Sequence, residues 1–206
     1  MKKQYFSIFA LGVLLMFSAC NETTNETTTA DSPKSEKATA VKYVDNAEIQ
    51  AKGMKQIKGL VGTVKPALKG AMKSDKTGME ALKMCTTTAQ EMGKKYNATL
   101  PEDSSIRRTA LKYRNPNNKP DATDVEVMEK LKADKTFDKP LVVDMGDSFR
   151  VYKALPVKKP CLVCHGDTKK MSSSMLETLK KNYPDDMAVN FKEGDFRGVI
   201  VSTIKK

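Results

Sequence analysis

Residues 161–165 read Cys161-Leu162-Val163-Cys164-His165, and this run holds the single histidine of the 206-residue chain. Two thiols three residues apart can each add to one vinyl group of a porphyrin, and a histidine directly after the second is placed to reach the iron from the same side. The spacing therefore predicts covalent attachment of one haem c through Cys161 and Cys164, with His165 as a metal ligand. Other uses of paired cysteines fit less well. A structural zinc site needs four nitrogen or sulfur ligands, and no second Cys or His pair exists to complete one. A thioredoxin-like Cys-x-x-Cys normally opens a helix inside a βαβ pattern, whereas this one follows Pro160 after a strand-like run.

With no second imidazole, a bis-histidine haem within one chain is excluded, and the remaining donors for the opposite side of the iron are Met, Cys, Lys or an open position. Ten of the twelve methionines lie beyond the N-terminal segment, but Met is also a routine core filler. Cys85 is a single candidate on a predicted helix, and a free Cys is equally at home as a small buried hydrophobe. Arg107, Arg108, Arg114 and Arg197 are candidates to pair with the two haem propionates, since a planar guanidinium suits a carboxylate bidentately. Arg114, beside the turn at Asn115-Pro116, is the first choice, followed by Arg108.

The elements that must position these groups run from helices to strands. Residues 47–64 read as a helix with Ile49, Met54, Ile57 and Val61 near one face, ended or kinked by Pro66. Thr77-x-x-Glu80 predicts a capping box opening a second helix, on which Leu82, Cys85, Ala89, Met92 and Tyr96 recur at spacings of three and four, so that Cys85 is expected to face the core. Residues 106–113 read as a strand and 123–133 as a short helix. Residues 141–144 and 149–155 read as a hairpin around Met145-Gly146-Asp147-Ser148. A short helix at 175–181, a breaker at Tyr183-Pro184-Asp185-Asp186 and a closing strand at 198–204 follow the Cys-x-x-Cys-His run. Helices first and antiparallel strands later predict an α+β fold. Tyr113 and Tyr152 fit either a cofactor wall or the core.

The N-terminus predicts where such a protein works. Met1-Lys2-Lys3 is a basic start, residues 6–17 are apolar, and Ser18-Ala19 precedes Cys20, so residues 1–19 read as a signal peptide whose end resembles a bacterial lipobox. Cys20 would be lipidated, residues 20–46 would form a disordered tether poor in large apolar groups, and residues 47–206 the domain. The expected location is exported and membrane-anchored, on the periplasmic side of the inner or outer membrane. Export agrees with c-type haem attachment and removes nucleic acid as a plausible partner. The formal net charge of +11 is carried as dispersed lysines, which suit an acidic redox partner or an anionic membrane surface.

Several stretches carry a resemblance: Ala81-Leu82-Lys83-Met84-Cys85, then Arg108 through Asp121, Pro160 through Gly166, Tyr183-Pro184, and Gly194-Asp195-Phe196-Arg197-Gly198. Together they resemble the family of exported PAS-like c-type haem domains with Cys/His axial ligation. The resemblance implies a PAS-like antiparallel sheet flanked by helices, haem on Cys161 and Cys164, His165 as one axial ligand and Cys85 as the other. It also implies redox or small-molecule sensing. The first expected function is thus a lipid-anchored haem protein that senses redox state or a diatomic gas, with redox-linked release of Cys85, and signals to a partner protein. The second is a small monohaem electron carrier docking to an acidic partner. An enzyme is not expected: turnover would need an open iron position and a distal acid or base, and there is no second histidine to supply one.

Overall fold

Side chains alternate along the last strand, β5 (Phe196–Lys205): Val199 and Val201 point to one face and Ile200 to the other, and all three are buried. A sheet buried on both faces needs a layer on each side. The computed structural model describes residues 40–206, so the expected signal segment, Cys20 and most of the tether lie outside the described residues. Its sheet is fully antiparallel, with strands β1 (Lys42–Tyr43), β2 (Ser104–Thr109), β3 (Leu141–Asp144), β4 (Ser148–Pro156) and β5 in the order β1-β3-β4-β5-β2. The fold is α+β, as expected. Pairing begins at Lys42, ahead of the expected domain start at residue 47, and Lys42 and Lys206 both reach Asp144, at 3.0 and 2.6 Å.

Helix α1 (Ala47–Ser74) crosses one face, where Ile57 joins Ile106, Val142, Val151 and Ile200. Gly53 permits this approach, because a Cβ there would stand 2.4 Å from a Val151 methyl. Helix α4 (Ala122–Asp134) covers the other face with Val127, Met128 and Leu131 against Val143, Tyr152, Ala154, Val199 and Val201. Full burial of each such aliphatic side chain contributes about 1.5–3 kcal/mol. Tyr152 belongs to this core, and Phe196 packs beside it against Phe137.

The structure corrects three expectations. Pro66 does not end α1, which continues for eight further residues; Pro66 and Gly62, the residue whose carbonyl loses its partner, are both exposed, so solvent serves that carbonyl. The capping box at Thr77 does not form. Asp75 takes the role, accepting from the Thr77 and Glu80 amides at 2.8 and 3.0 Å, and α2 (Met79–Lys83) starts after Gly78 at φ 82°. Finally, Cys85 is not in the core. Met84 is buried and Cys85 exposed, and a π turn at Met84–Thr88 shifts the helical phase between α2 and α3 (Ala89–Asn97).

Candidate functional site

The Cys-x-x-Cys-His run lies on a tight 3₁₀ turn, Lys159–Cys161, that passes into the one-turn helix α5 (Leu162–His165). Its two thiols point to different clusters: Cys161 packs with Val157, Ala188 and Phe191, and Cys164 with Leu82, Met175 and Leu179. They are not joined as a disulfide. Burial pushes the Cys164 thiol up to about 11. The start of α2 passes close by, and Gly78 is needed there twice over. Its φ of 82° suits glycine, and a Cβ would stand 2.4 Å from Val163.

The breaker's last residue, Asp186, and the stretch after it, residues 187–191, hold α5 in place. Asn190 donates its amide to the Gly166 carbonyl and Phe191 to the His165 carbonyl, at 2.8 and 2.9 Å. Arg114, buried, donates from Nε to Asp186 at 2.9 Å and from one terminal nitrogen to the Cys164 and Ala188 carbonyls at 2.6 and 3.3 Å. The His165 Nδ1 lies 2.7 Å from the Ala188 carbonyl. A carbonyl only accepts, so Nδ1 carries the proton and Nε2 keeps its lone pair for a metal. Burial first, then the Arg197 and Arg114 guanidiniums, hold the imidazole well below its ordinary pKa, and the Ala188 bond opposes them only in part. The ring is thereby neutral, as a ligand must be.

His165 lines a cleft of about 450 Å³ between α1, α3 and the sheet, within the usual range of about 300–1,000 Å³ for cofactor sites. Leu60, Val61, Val64, Leu68, Ile106 and Ile200 form apolar walls. Cys85 lines it too, so its exposed area faces the cleft. Burial pushes its thiol pKa up, while Arg108, Arg114 and Arg197 pull it down. No methionine lines this cleft among the described residues. Of the donors left open by the sequence, Cys85 and two lysines, Lys65 and Lys94, are in it.

The same cleft gathers Arg108, Arg114 and Arg197 and is lined by no carboxylate among the described residues. Only Arg114 is paired, with Asp186 outside the lining. The Arg108 side chain makes no hydrogen bond or ion pair among the described residues; it is exposed into the open cleft, where desolvation together with its neighbour Arg114 lowers its pKa, with Cys85 and Cys161 opposing. Arg197 donates to the Lys112 carbonyl at 3.0 Å, yet its Nε is buried without a partner, and burial with Arg108 and Arg114 lowers it to about 9. Two guanidinium charges are thus uncompensated, which fits a group with two carboxylates; the residues present suit a haem with its propionates. Arg114, the first choice from sequence, is largely committed to holding α5, and Arg107 turns to Asp124 on the far face at 2.7 Å. Arg108 and Arg197 are the better-placed partners. The Thr86 hydroxyl, next to Cys85 in sequence, donates to the Lys83 carbonyl.

Sequence reasoning missed Asp186, Ala188 and Phe191. Phe191 sits edge-on to His165, with ring centroids 6.4 Å apart, between the Lys112 and Arg197 cations. Ala188 acts through a backbone carbonyl, which no residue type announces.

The family model described as Tll0287-like matches residues 21–205 of this chain. Among solved structures, the cyanobacterial haem protein Tll0287 is similar, with a TM-score of 0.62 and 24% identity over 79% of this chain and 98% of that one, which shows a shared fold. No curated protein matches. Among the described residues no helix is long and apolar enough to cross a membrane.

Proposed function

This chain belongs to the Tll0287-like family, and from that membership and the cleft we propose that it is an exported, lipid-anchored, non-enzymatic protein carrying one covalent haem c and sensing redox state or a diatomic gas. When bound, the haem supplies a one-electron couple and an iron position open to exchange. Cys161 and Cys164 tether it through thioether bonds, and His165 offers Nε2 on one side, fixed by Ala188. Arg108 and Arg197 neutralise the propionates. Cys85 would be the second protein ligand, and the observation that carries this reading is that, among the described residues, it is the only sulfur donor lining the cleft shared with His165.

A thiolate opposite an imidazole favours the ferric state, because its negative charge suits the more positive metal. With haem bound, reduction by an external one-electron donor, a redox protein partner, would weaken the hold of Cys85, whose sulfur would take up a proton from solvent. The haem would then supply an iron able to take nitric oxide or carbon monoxide. Optical and electron-spin spectra of the ferric protein beside Cys85→Ala, at equal haem loading, test the reading: the wild type shows a low-spin thiolate signal that the variant lacks, and the ferrous wild type binds carbon monoxide. Identical spectra would remove Cys85 as a ligand.

The second reading is an electron carrier. Lys158, Lys159, Lys169 and Lys170 are exposed around the haem-attaching peptide and make no carboxylate pair among the described residues, a surface suited to an acidic partner. A ferrous protein that stays low-spin and ignores carbon monoxide would favour it.

A further inference from the structure

In an α-helix each carbonyl receives the amide four residues on, but at the π turn the Ala89 amide reaches back five, to the Met84 carbonyl. The carbonyls flanking such a turn lose regular partners, and here side chains serve them. The Lys83 carbonyl receives both the Thr86 and the Thr87 hydroxyl, each at 2.9 Å, and the Thr86 carbonyl receives the Gln90 side-chain amide at 3.0 Å. Thr86, Thr87 and Thr88 are β-branched, none is buried, and their hydroxyls compete with the regular ladder, so the run disfavours plain α-helix without contributing to the core.

Both ends of the turn are anchored. Upstream, Leu82 packs with Met175 and Leu179. Downstream, the Tyr96 hydroxyl donates to the Gln56 carbonyl at 2.9 Å, and the Asn97 side chain exchanges two bonds of 2.8 Å with the Ile106 backbone. The extra residue is therefore trapped between them. Each residue of an α-helix turns about 100°, so one inserted residue moves the next side chain to a different face. Lys83 and Met84 keep α-helical dihedrals, so Met84 in the core and Cys85 at the cleft stay in register with Leu82, and the extra residue sets the phase at which Cys85 meets α3, whose Ala89, Gln90 and Gly93 line the same cleft.

We infer that Thr86 and Thr87 are positioning residues whose hydroxyls hold the π turn and thereby aim Cys85 at the position opposite His165. This rests on the reading of Cys85 as a ligand, and the test separates the two. Haem-loaded ferric wild type, Thr86→Ala/Thr87→Ala, Thr86→Ser/Thr87→Ser and Cys85→Ala are compared by electron-spin and optical spectra, together with amide hydrogen exchange at residues 84–88. The double alanine is expected to lose most of the thiolate low-spin signal and to exchange about thirtyfold faster at these amides, as losing two hydrogen bonds of about 1 kcal/mol each implies. The double serine, which keeps both hydroxyls, restores signal and protection.

A full thiolate signal in the double alanine overturns the inference whether or not exchange accelerates, and so does a double serine that behaves like the alanine. If the double alanine fails to load haem, Thr87→Ala alone carries the comparison, with the same loss expected and the same unchanged signal overturning it. A wild type without thiolate signal, unaltered by Cys85→Ala, overturns the ligand reading itself and the positioning role with it.

Discussion

Arg107 and Arg108 are neighbours on one strand and live in opposite electrostatic worlds. Arg107 points to the α4 face, where fully buried Asp124 takes both of its terminal nitrogens and also the Tyr152 hydroxyl, while Arg150 bridges to Asp121 at 2.7 Å. Every charge there has an opposite. Arg108, one residue later and therefore on the other face, enters a cleft without a carboxylate in its lining and shares it with Arg114 and Arg197. Buried Asp124 is tolerated because it is paired, whereas Arg108 is exposed into the open cleft and stays charged without a partner. The α4 face thus pairs its charges within the fold, while the cleft face leaves Arg108 and Arg197 without a carboxylate partner among the described residues.

The largest effect should fall on the cleft alone. Cys161→Ala/Cys164→Ala should leave no haem on the polypeptide after acid-acetone extraction, with circular dichroism reporting an intact sheet; haem retained on the chain would contradict covalent attachment. Next, Asp124→Ala should remove about 3–5 kcal/mol in chemical denaturation, because it strands a buried hydroxyl and deprives Arg107 and Arg150 of their buried carboxylate partner. The spectrum of the remaining folded protein should not change. A loss below about 1 kcal/mol, the ceiling for most exposed pairs, would break the contrast between the faces.

Arg108→Gln should do the reverse. In the haem-free background of the first variant, stability should hold or rise, since a cation repelled by Arg114 and Arg197 is gone. In the loaded protein the reduction potential should fall by on the order of 50 mV, roughly the tenfold step of a one-electron couple, because removing positive charge favours ferric iron. Equal destabilisation with and without haem would make Arg108 an architectural residue like Arg107.

The smallest effect is on acid stability. Burial alone would raise the Asp121 carboxyl, but the Asp124 amide and Arg150 outweigh it and hold the group below the ordinary carboxylate value. Its contribution is therefore present above that ordinary value and is lost as the pH falls through and below it. Asp121→Asn should flatten the decline of stability below about pH 4 in denaturation curves, modestly because the carboxylate is half-exposed. An unchanged slope would show that Asp121 adds nothing to the pairing on that face.

Much of this was legible beforehand where the signal is local. Strand alternation gave the hairpin of β3 and β4 and the closing strand β5, and helix α4 was expected within one residue at each end. Misreadings arose where a competing local interaction won. Asp75 outcompeted Thr77 as the cap, and threonine hydroxyls supported a π turn that a count of threes and fours cannot register. Cys85 was singled out as a candidate ligand but assigned to the core face, and Arg114 was offered as a propionate partner without showing that Asp186 and two carbonyls occupy its donors.

The sequence by itself determined the chemistry available: two thiols and an imidazole in a Cys-x-x-Cys-His run, one further cysteine in the domain, and five arginines, because residue type and short-range spacing are written in the chain. Tertiary structure decided which of these groups act together. His165 takes its proton position from a carbonyl 23 residues away, Arg114 its partner from 72 residues away, and Arg108 its lack of a partner from the parity of one strand. Charge and hydrogen-bond pairing depend on distance in space, and only packing sets that distance.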